Sequence, residues 1–271
     1  MSTSQSMTMP KINIPTYKRE KSRVVRLIIL TLILAATYWS MSGVEFSVPN
    51  LIKGLPFMWD FIRRMYPPNW SILGSVFVQT VITIQLALAG TIIAAIISLP
   101  ISFLAARNIC GDGWLVRTMT FLFNADRSID ALILALFFVS AVGLGPFPGV
   151  LALAIHSIGM LGKLFAEAIE GVDKGPIEAL ESVGASKLEI IRWAILPQAI
   201  PYFISYTLFR FELNIRVAIV LGVVGAGGIG FLLVQYMRLF QYQSVTIVVG
   251  VILVLVMGID GLSTRLRRAV L

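Results

Sequence analysis

The chain of 271 residues is 57% hydrophobic and only 13% charged, and its formal net charge is +8. So little polar surface cannot cover a soluble globule of this length, so the composition, with its mean hydropathy of +0.87, calls for lipid as the solvent. The excess of basic residues does not point to nucleic acid, because they lie between apolar runs rather than on one polar face interleaved with aromatics. A single cysteine, Cys110, excludes an internal disulfide framework, and a single histidine, His156, leaves no Cys/His cluster for a metal.

Residues 1–23 are polar, basic and proline-containing, too long for the n-region of an ordinary signal peptide, and no small-residue cleavage site follows the first apolar run. They are expected to form a cytoplasmic tail ahead of a retained first span at 24–41. Six stretches of about 20 apolar residues predict an all-α polytopic membrane protein with about six transmembrane helices. They are Val24 to Met41, Ile72 to Ala105, Met119 to Val142, Pro148 to Ile169, Pro201 to Val224 and Val245 to Leu262. The second exceeds one bilayer crossing and contains Pro100, a potential kink. Between the first two spans, residues 42–71 carry four prolines with Phe57, Trp59, Phe61, Tyr66 and Trp70. This composition suits an extracytoplasmic segment lying at headgroup level, and contact with an external partner is the other option.

Charge orients the spans. With the N-terminus in the cytoplasm, that side collects Lys18, Arg19, Arg23, Arg107, Arg117, Lys174, Lys187, Arg265 and Arg268 among others, against Lys53, Arg63, Arg64 and Arg238 outside. This is the asymmetry of the positive-inside rule, and it places both termini and the polar stretch Glu178 to Pro197, EALESVGASKLEIIRWAILP, in the cytoplasm. Pro176 suits a helix start, Glu178 to Glu181 are helix formers, and Gly184 with Ser186 can end one turn and begin the next. Leu180, Val183, Leu188 and Ile191 offer apolar contacts. Such a short amphipathic helix is stabilised either by a partner's groove or by the headgroup region of the membrane.

Charged residues within spans are costly unless they face protein or water. Arg127 lies in the third span with Asp126 and Asp130, and Arg210, Glu212, Asn214 and Arg216 lie in the fifth. Arg210/Asn214 and Glu212/Arg216 are spaced i,i+4 and share helix faces. Guanidinium forks suit an oxyanion, which makes Arg127, Arg210, Glu212, Asn214 and Arg216 candidates for a translocation pathway. The other reading pairs Arg127 with Asp130 and Arg216 with Glu212 as buried ion pairs that lock helices together. Lys163 and Glu167 read as an interfacial pair, and His156 as a packed, hydrogen-bonded residue. Gly222 to Gly230 holds five glycines in nine residues, too many for a stable lipid-facing helix. Gly225, Gly227, Gly228 and Gly230 are candidates for a gate or hinge near the pathway mouth, or for close helix packing.

The stretch Glu178-Ala179, Gly184-Ala185, Leu188 and Leu196-Pro197 resembles the EAA loop of ABC importer permeases, and the likeness extends over about Ile72 to Arg268. The run Gly159 to Glu170, the segment Phe211 to Arg216 and the stretch Gly222 to Gly230 are similar to the phosphonate importer permease family; the glycine-rich part is shared with methionine and quaternary-amine permeases. Leu180 stands at the motif's second alanine and Ala194 at its usual isoleucine, and Arg127 to Asp130 follows the family only in part. The resemblance implies a type I (MetI-like) importer permease domain over 72–268, with a coupling loop at 172–200 that docks into an ATPase through Glu178, Ala179, Gly184, Ala185, Leu188, Leu196 and Pro197. It implies a bacterial inner or plasma membrane protein working as a homodimer with two ATPase subunits and an extracytoplasmic binding protein, and carrying phosphonates, with phosphate or phosphite next. It implies no cofactor on this chain, with ATP and Mg on the ATPase. The chain itself lacks a phosphate-binding loop, so it is expected to be a transport subunit and not an enzyme. No Ser/His/Asp set and no repeated half is present, which argues against a membrane enzyme or a secondary transporter. A permease for methionine or a quaternary amine, or a channel outside the ABC class, are the alternatives.

Overall fold

The computed structural model describes residues 21–44 and 47–270. The basic tail expected over 1–23 therefore falls almost wholly outside the described residues. The chain divides into two units, up to Trp59 and from Asp60 onward. The first contains α1 (Lys21–Gly43) and most of α2 (Val48–Arg64). Helix α1 buries none of its apolar span, so its leucines, isoleucines, Tyr38 and Trp39 are left for lipid. Helix α2 contains Pro56 and ends on Arg63 and Arg64, the latter paired with Asp60 at 2.7 Å.

The second unit is a helical bundle built on α3 (Leu73–Ala105) and α7 (Pro146–Glu170). A 3-10 turn, Trp70–Ile72, leads into α3 and is capped by the Asn69 side chain, which accepts from the Ser71 amide. Between helices in lipid the apolar effect contributes little, because lipid tails are as apolar as leucine; close backbone approach through small residues is what holds them. Gly90, Ala94, Ser98 and Ser102, all buried, recur every fourth residue along α3. At Gly90 a Cβ would stand 2.7 Å from that of Leu153 on α7, and the Ser98 hydroxyl donates to the Ile158 carbonyl at 3.1 Å. Around this seam Leu161, Phe165 and Ile169 form one core with Ala194, Ile195 and Phe203, while Leu86, Leu153, Ile215 and Leu221 form another.

The third predicted span is broken. Helix α4 (Arg107–Cys110) is a single turn, and α5 (Trp114–Ser128) stops at Ile129, where the backbone becomes extended before α6 (Ala131–Val142). The reason is local: the Asp130 carboxylate accepts the Leu132 amide at 2.8 Å and so starts a new helix where a continuous span was expected. Among the described residues, four helices are long and apolar enough to cross a membrane by composition, namely Val25–Gly43, Trp70–Ala105, Pro146–Glu170 and Tyr242–Ala269. The fifth predicted span forms as α10 (Leu196–Gly222), whose charged residues keep it out of that set.

The loop after α7 contains α8 (Gly175–Ser182) and α9 (Lys187–Ile190). A π-helical turn, Ile191–Ile195, joins α9 to α10 without leaving helical backbone, so the helix started at Ser186 runs on to Gly222. A proline explains the widened turn. Pro197 has no N–H, so the Trp193 carbonyl inside the turn loses its α-helical partner. Gln198 ties this region back to the loop, donating to the Ala194 carbonyl at 2.8 Å and accepting the Asp173 amide at 3.0 Å. Helices α11 (Gly228–Arg238) and α12 (Tyr242–Val270) complete the unit, with Val76, Ile229, Leu232 and Val248 as a third core.

Candidate coupling loop and translocation face

The loop of residues 172–200 has two faces. On one, Ile177, Leu180, Ala185 and Ile190 pack with Val172, Ala194 and Ile195 into the core around Phe165. On the other, Glu178, Ala179, Gly184 and Pro197 are exposed, and Val183, Leu188 and Trp193 leave 77%, 78% and 65% of their surface open. Gly184 joins the two short helices at φ +77°, with nothing near the position of a Cβ, so the left-handed conformation and not crowding requires glycine there. Its amide and that of Ala185 donate to the Glu181 and Leu180 carbonyls and close α8. Ser186 then caps α9 reciprocally with Glu189: the serine hydroxyl accepts the Glu189 amide, and the glutamate accepts the Ser186 amide at 2.7 Å. The hydrogen bonds from Ser186 hold the Glu189 carboxyl below its usual range. A groove of about 290 Å³ runs beside the loop, floored by Ile177, Ile190 and Ile195 and rimmed by Lys174, Glu178, Glu181 and Lys187.

The span charges fall into three groups. Arg210, only 4% exposed, donates from Nε to Ser157 Oγ at 2.9 Å, from Nη1 to Met160 Sδ at 2.9 Å and from Nη2 to the His156 carbonyl at 3.2 Å. Fully buried Asn214, one turn further on, donates to Thr91 Oγ1 at 2.9 Å and Ser157 Oγ at 3.0 Å. These two expected pathway residues therefore tie α10 to α7 and α3 inside the bundle. Glu212 and Arg216 face α12, in a chain of ion pairs: Arg216 to Glu212 at 3.3 Å, Arg216 to Asp260 at 2.6 Å, and Arg267 to Glu212 at 3.0 Å. Arg127 is exposed and forms no ion pair among the described residues, Asp130 being occupied in capping α6. Asp126 instead accepts the Gly159 amide on α7 at 2.7 Å, where a Cβ on Gly159 would stand 2.5 Å from the carboxylate. Lys163, half-buried, and Glu167, exposed, stand 4.0 Å apart.

Asp260, Arg267, Thr91, Ser157 and Met160 were not singled out from the sequence. Asp260 had a usable signal, as the one carboxylate in an otherwise apolar last span; the small polar residues had none, since only the fold gathers them around Arg210.

An open cleft of about 250 Å³ lies at the α5–α6 break, lined by Asp130, Ala131, Leu132, His156, Arg216, Val217, Val220 and Leu221. Nearby, the glycine-rich turn after α10 meets the turn before α7: the Gly145 amide donates to the Gly225 carbonyl at 3.0 Å, and Ala226 packs on Gly149. Gly225, Gly227 and Gly228 have φ of +94°, +79° and +75°. Gly230 is helical, and a Cβ there would collide with the Ile219 carbonyl, so close α10–α11 packing requires it.

Residues 98–271 match the family described as binding-protein-dependent transport system inner membrane components. The chain belongs to this family. Over 219 residues it is 42% identical to the phosphite transport system permease protein PtxC of Stutzerimonas stutzeri, covering 81% of this chain and 80% of that one. Over 236 residues it is 40% identical to the phosphate-import permease protein PhnE of Mycolicibacterium smegmatis, covering 87% of this chain and 44% of that larger protein. Among solved structures, the inward-facing MetNI methionine ABC transporter superposes with a TM-score of 0.66 at 23% identity, covering 75% of this chain and 99% of that one, which establishes the fold. This permease is thus a multi-pass cell-membrane protein with the all-helical importer fold that the EAA-like loop implied. The matched region contains α4 to α12 whole, together with the 172–200 loop and both charged groups on α10.

Proposed function

We propose that this permease carries phosphonates, or the related oxyanions phosphite and phosphate, into the cell, driven by a separate ATPase that grips the 172–200 loop. A binding protein delivers the substrate outside, and two copies of this chain form the pathway, with both termini in the cytoplasm. ATP and Mg act on the ATPase, and this chain contributes no catalytic group. The substrate reading is supported by relatives named for phosphite and phosphate import, at 42% and 40% identity.

The observation that carries the coupling reading is the continuity of the loop with α10. An exposed apolar patch at a polar end of the molecule suits a protein contact, and Val183, Leu188 and Trp193 form such a patch. A push on α9 travels along unbroken helix to Arg210, Asn214 and Arg216, where α10 is joined to α3, α7 and α12. Alternating access then amounts to α10 and its partners rocking between inward- and outward-open arrangements, with the Gly225–Gly228 turn as the hinge. Arg127 and Arg216, the less buried cations, guide the anion, while Arg210 positions α10.

The test is co-purification with the cognate ATPase. Leu188→Asp places a charge on the exposed patch without touching the core, so the permease is expected to remain in the membrane at native levels and lose the ATPase. Retention of the ATPase by this variant would defeat the docking assignment.

A further inference from the structure

The cleft at the α5–α6 break has a lining of mixed chemical character. His156 Nδ1 lies 3.1 Å from the Ile129 carbonyl. A carbonyl only accepts, so Nδ1 carries the proton, and when the ring is neutral Nε2 is an acceptor. Nε2 has no protein partner among the described residues. Asp130 spends Oδ1 on the Leu132 amide and leaves Oδ2 unengaged among the described residues. Arg216 uses Nη2 for both Glu212 and Asp260, which leaves the Nε and Nη1 hydrogens without a protein partner there. The other walls, Ala131, Leu132, Val217, Val220 and Leu221, are apolar. Charged side chains on this face cannot meet lipid cheaply, so the cleft faces protein or a water-filled space.

Donors from Arg216 and acceptors from Asp130 and His156 face one small space. A fully deprotonated tetrahedral dianion satisfies the arginine but sets its oxygens against a carboxylate and an imidazole lone pair. A cation meets Arg216. An oxyanion that keeps one proton satisfies all three, its P–O oxygens accepting from the guanidinium and its P–OH donating to Asp130 or His156. We propose that this cleft is a waypoint for a small tetrahedral oxyanion in its protonated, monoanionic form, selecting hydrogen phosphonate or hydrogen phosphite against sulfate. The inference rests on the oxyanion-importer reading and adds to it a discriminating site within the permease. Arg216 is partly neutralised by Glu212 and Asp260, so binding is weak, as passage requires.

The full-length chain in lipid nanodiscs, titrated with methylphosphonate and followed by phosphorus NMR line broadening, tests this directly. Hydrogen phosphite is expected to compete, and sulfate to compete at least about tenfold less well, the difference one charge-assisted hydrogen bond makes. Asp130→Asn keeps a capping oxygen for α6 but exchanges a carboxylate for an amide, and is expected to bring sulfate to within a few-fold of phosphite. Equal competition by sulfate and phosphite on the native chain, which needs no variant, would overturn the proposal, as would an unchanged ratio in Asp130→Asn. Absence of broadening on the native chain also overturns it. ATP-driven methylphosphonate uptake by the reconstituted importer is read separately, so its persistence in that case leaves the importer reading standing, and its loss removes both.

Discussion

At the scale of single residues, Gly184 and Asn214 show two ways a position can be demanding. Gly184 sits in open space at φ +77°, a backbone state that costs a β-branched residue about 1–2 kcal/mol. Gly184→Val is therefore expected to unravel the junction of α8 and α9 and to uncouple ATP hydrolysis from uptake, leaving the bundle folded; uptake at the native rate would contradict this. Asn214 is demanding because it is sealed in. Its amide donates to both the Ser157 and Thr91 hydroxyls, so Asn214→Leu deletes two buried hydrogen bonds between α10 and its neighbours, although those hydroxyls keep their own bonds to the Leu153 and Ala87 carbonyls, and the Arg210 guanidinium loses a neighbour that orients Ser157. A loss of about 1–3 kcal/mol is expected, seen as a lower melting temperature in detergent. The sequence pointed to both residues, one as a helix terminator and one as a polar group in a span. It marked Asn214 for the pathway because i,i+4 spacing says which residues share a face and nothing about which neighbour that face meets.

At the scale of elements, the short helices of the loop depend on their caps. Ser186→Ala removes a reciprocal cap and is expected to cost about 1 kcal/mol of local helix, read as faster amide exchange over 187–190. Acid does the same through Glu189. Its folded carboxyl titrates below its ordinary value, so its contribution is complete above the unfolded value of about 4.5 and fades as the pH falls through the lower folded value; exchange should quicken there and not near neutrality. Helix α10 is held to α12 by Arg216 and Asp260 at 2.6 Å. Asp260→Asn is expected to loosen this pair and lower uptake, and the exchanged pair Arg216→Asp with Asp260→Arg to recover helix packing, measured as thermal stability, but not anion passage. Cap signals such as Pro176, Gly184 and Ser186 were legible because caps are local chemistry, whereas the part Glu189 plays in the cap came only with the structure. The break at Asp130 was less so: the apolar runs on either side of Asn124 to Asp130 pass for one span with charges in its middle, and only the carboxylate's bond to Leu132 shows where the helix restarts. The union of α9 with α10 was not legible: the loop was expected to end at 200 and a new span to begin at Pro201, whereas a π-helical turn carries the helix through this stretch.

At the scale of the whole molecule, composition was decisive for the class. A chain this apolar needs lipid, and a bundle in lipid is knit by small residues and satisfied polar groups; the described residues show both in the Gly90 to Ser102 stripe and the Arg210 network. What the composition could not convey is which charges are sealed in and which stay open, because that follows from the rotation of α10 against its neighbours. That division gives the account its shape: an exposed apolar loop at one end, a continuous helix from it, and a mixed-charge cleft at the α5–α6 break. The proposed function requires that ATP hydrolysis on the separate ATPase, transmitted through this loop, drives oxyanion passage through the permease. The most direct measurement is uptake of labelled methylphosphonate into proteoliposomes containing the permease and its ATPase, with the cognate binding protein added. Uptake is expected to require ATP and binding protein and to fall to background in Leu188→Asp. Uptake of methionine or a quaternary amine in place of methylphosphonate, or methylphosphonate uptake that persists in Leu188→Asp, would contradict it.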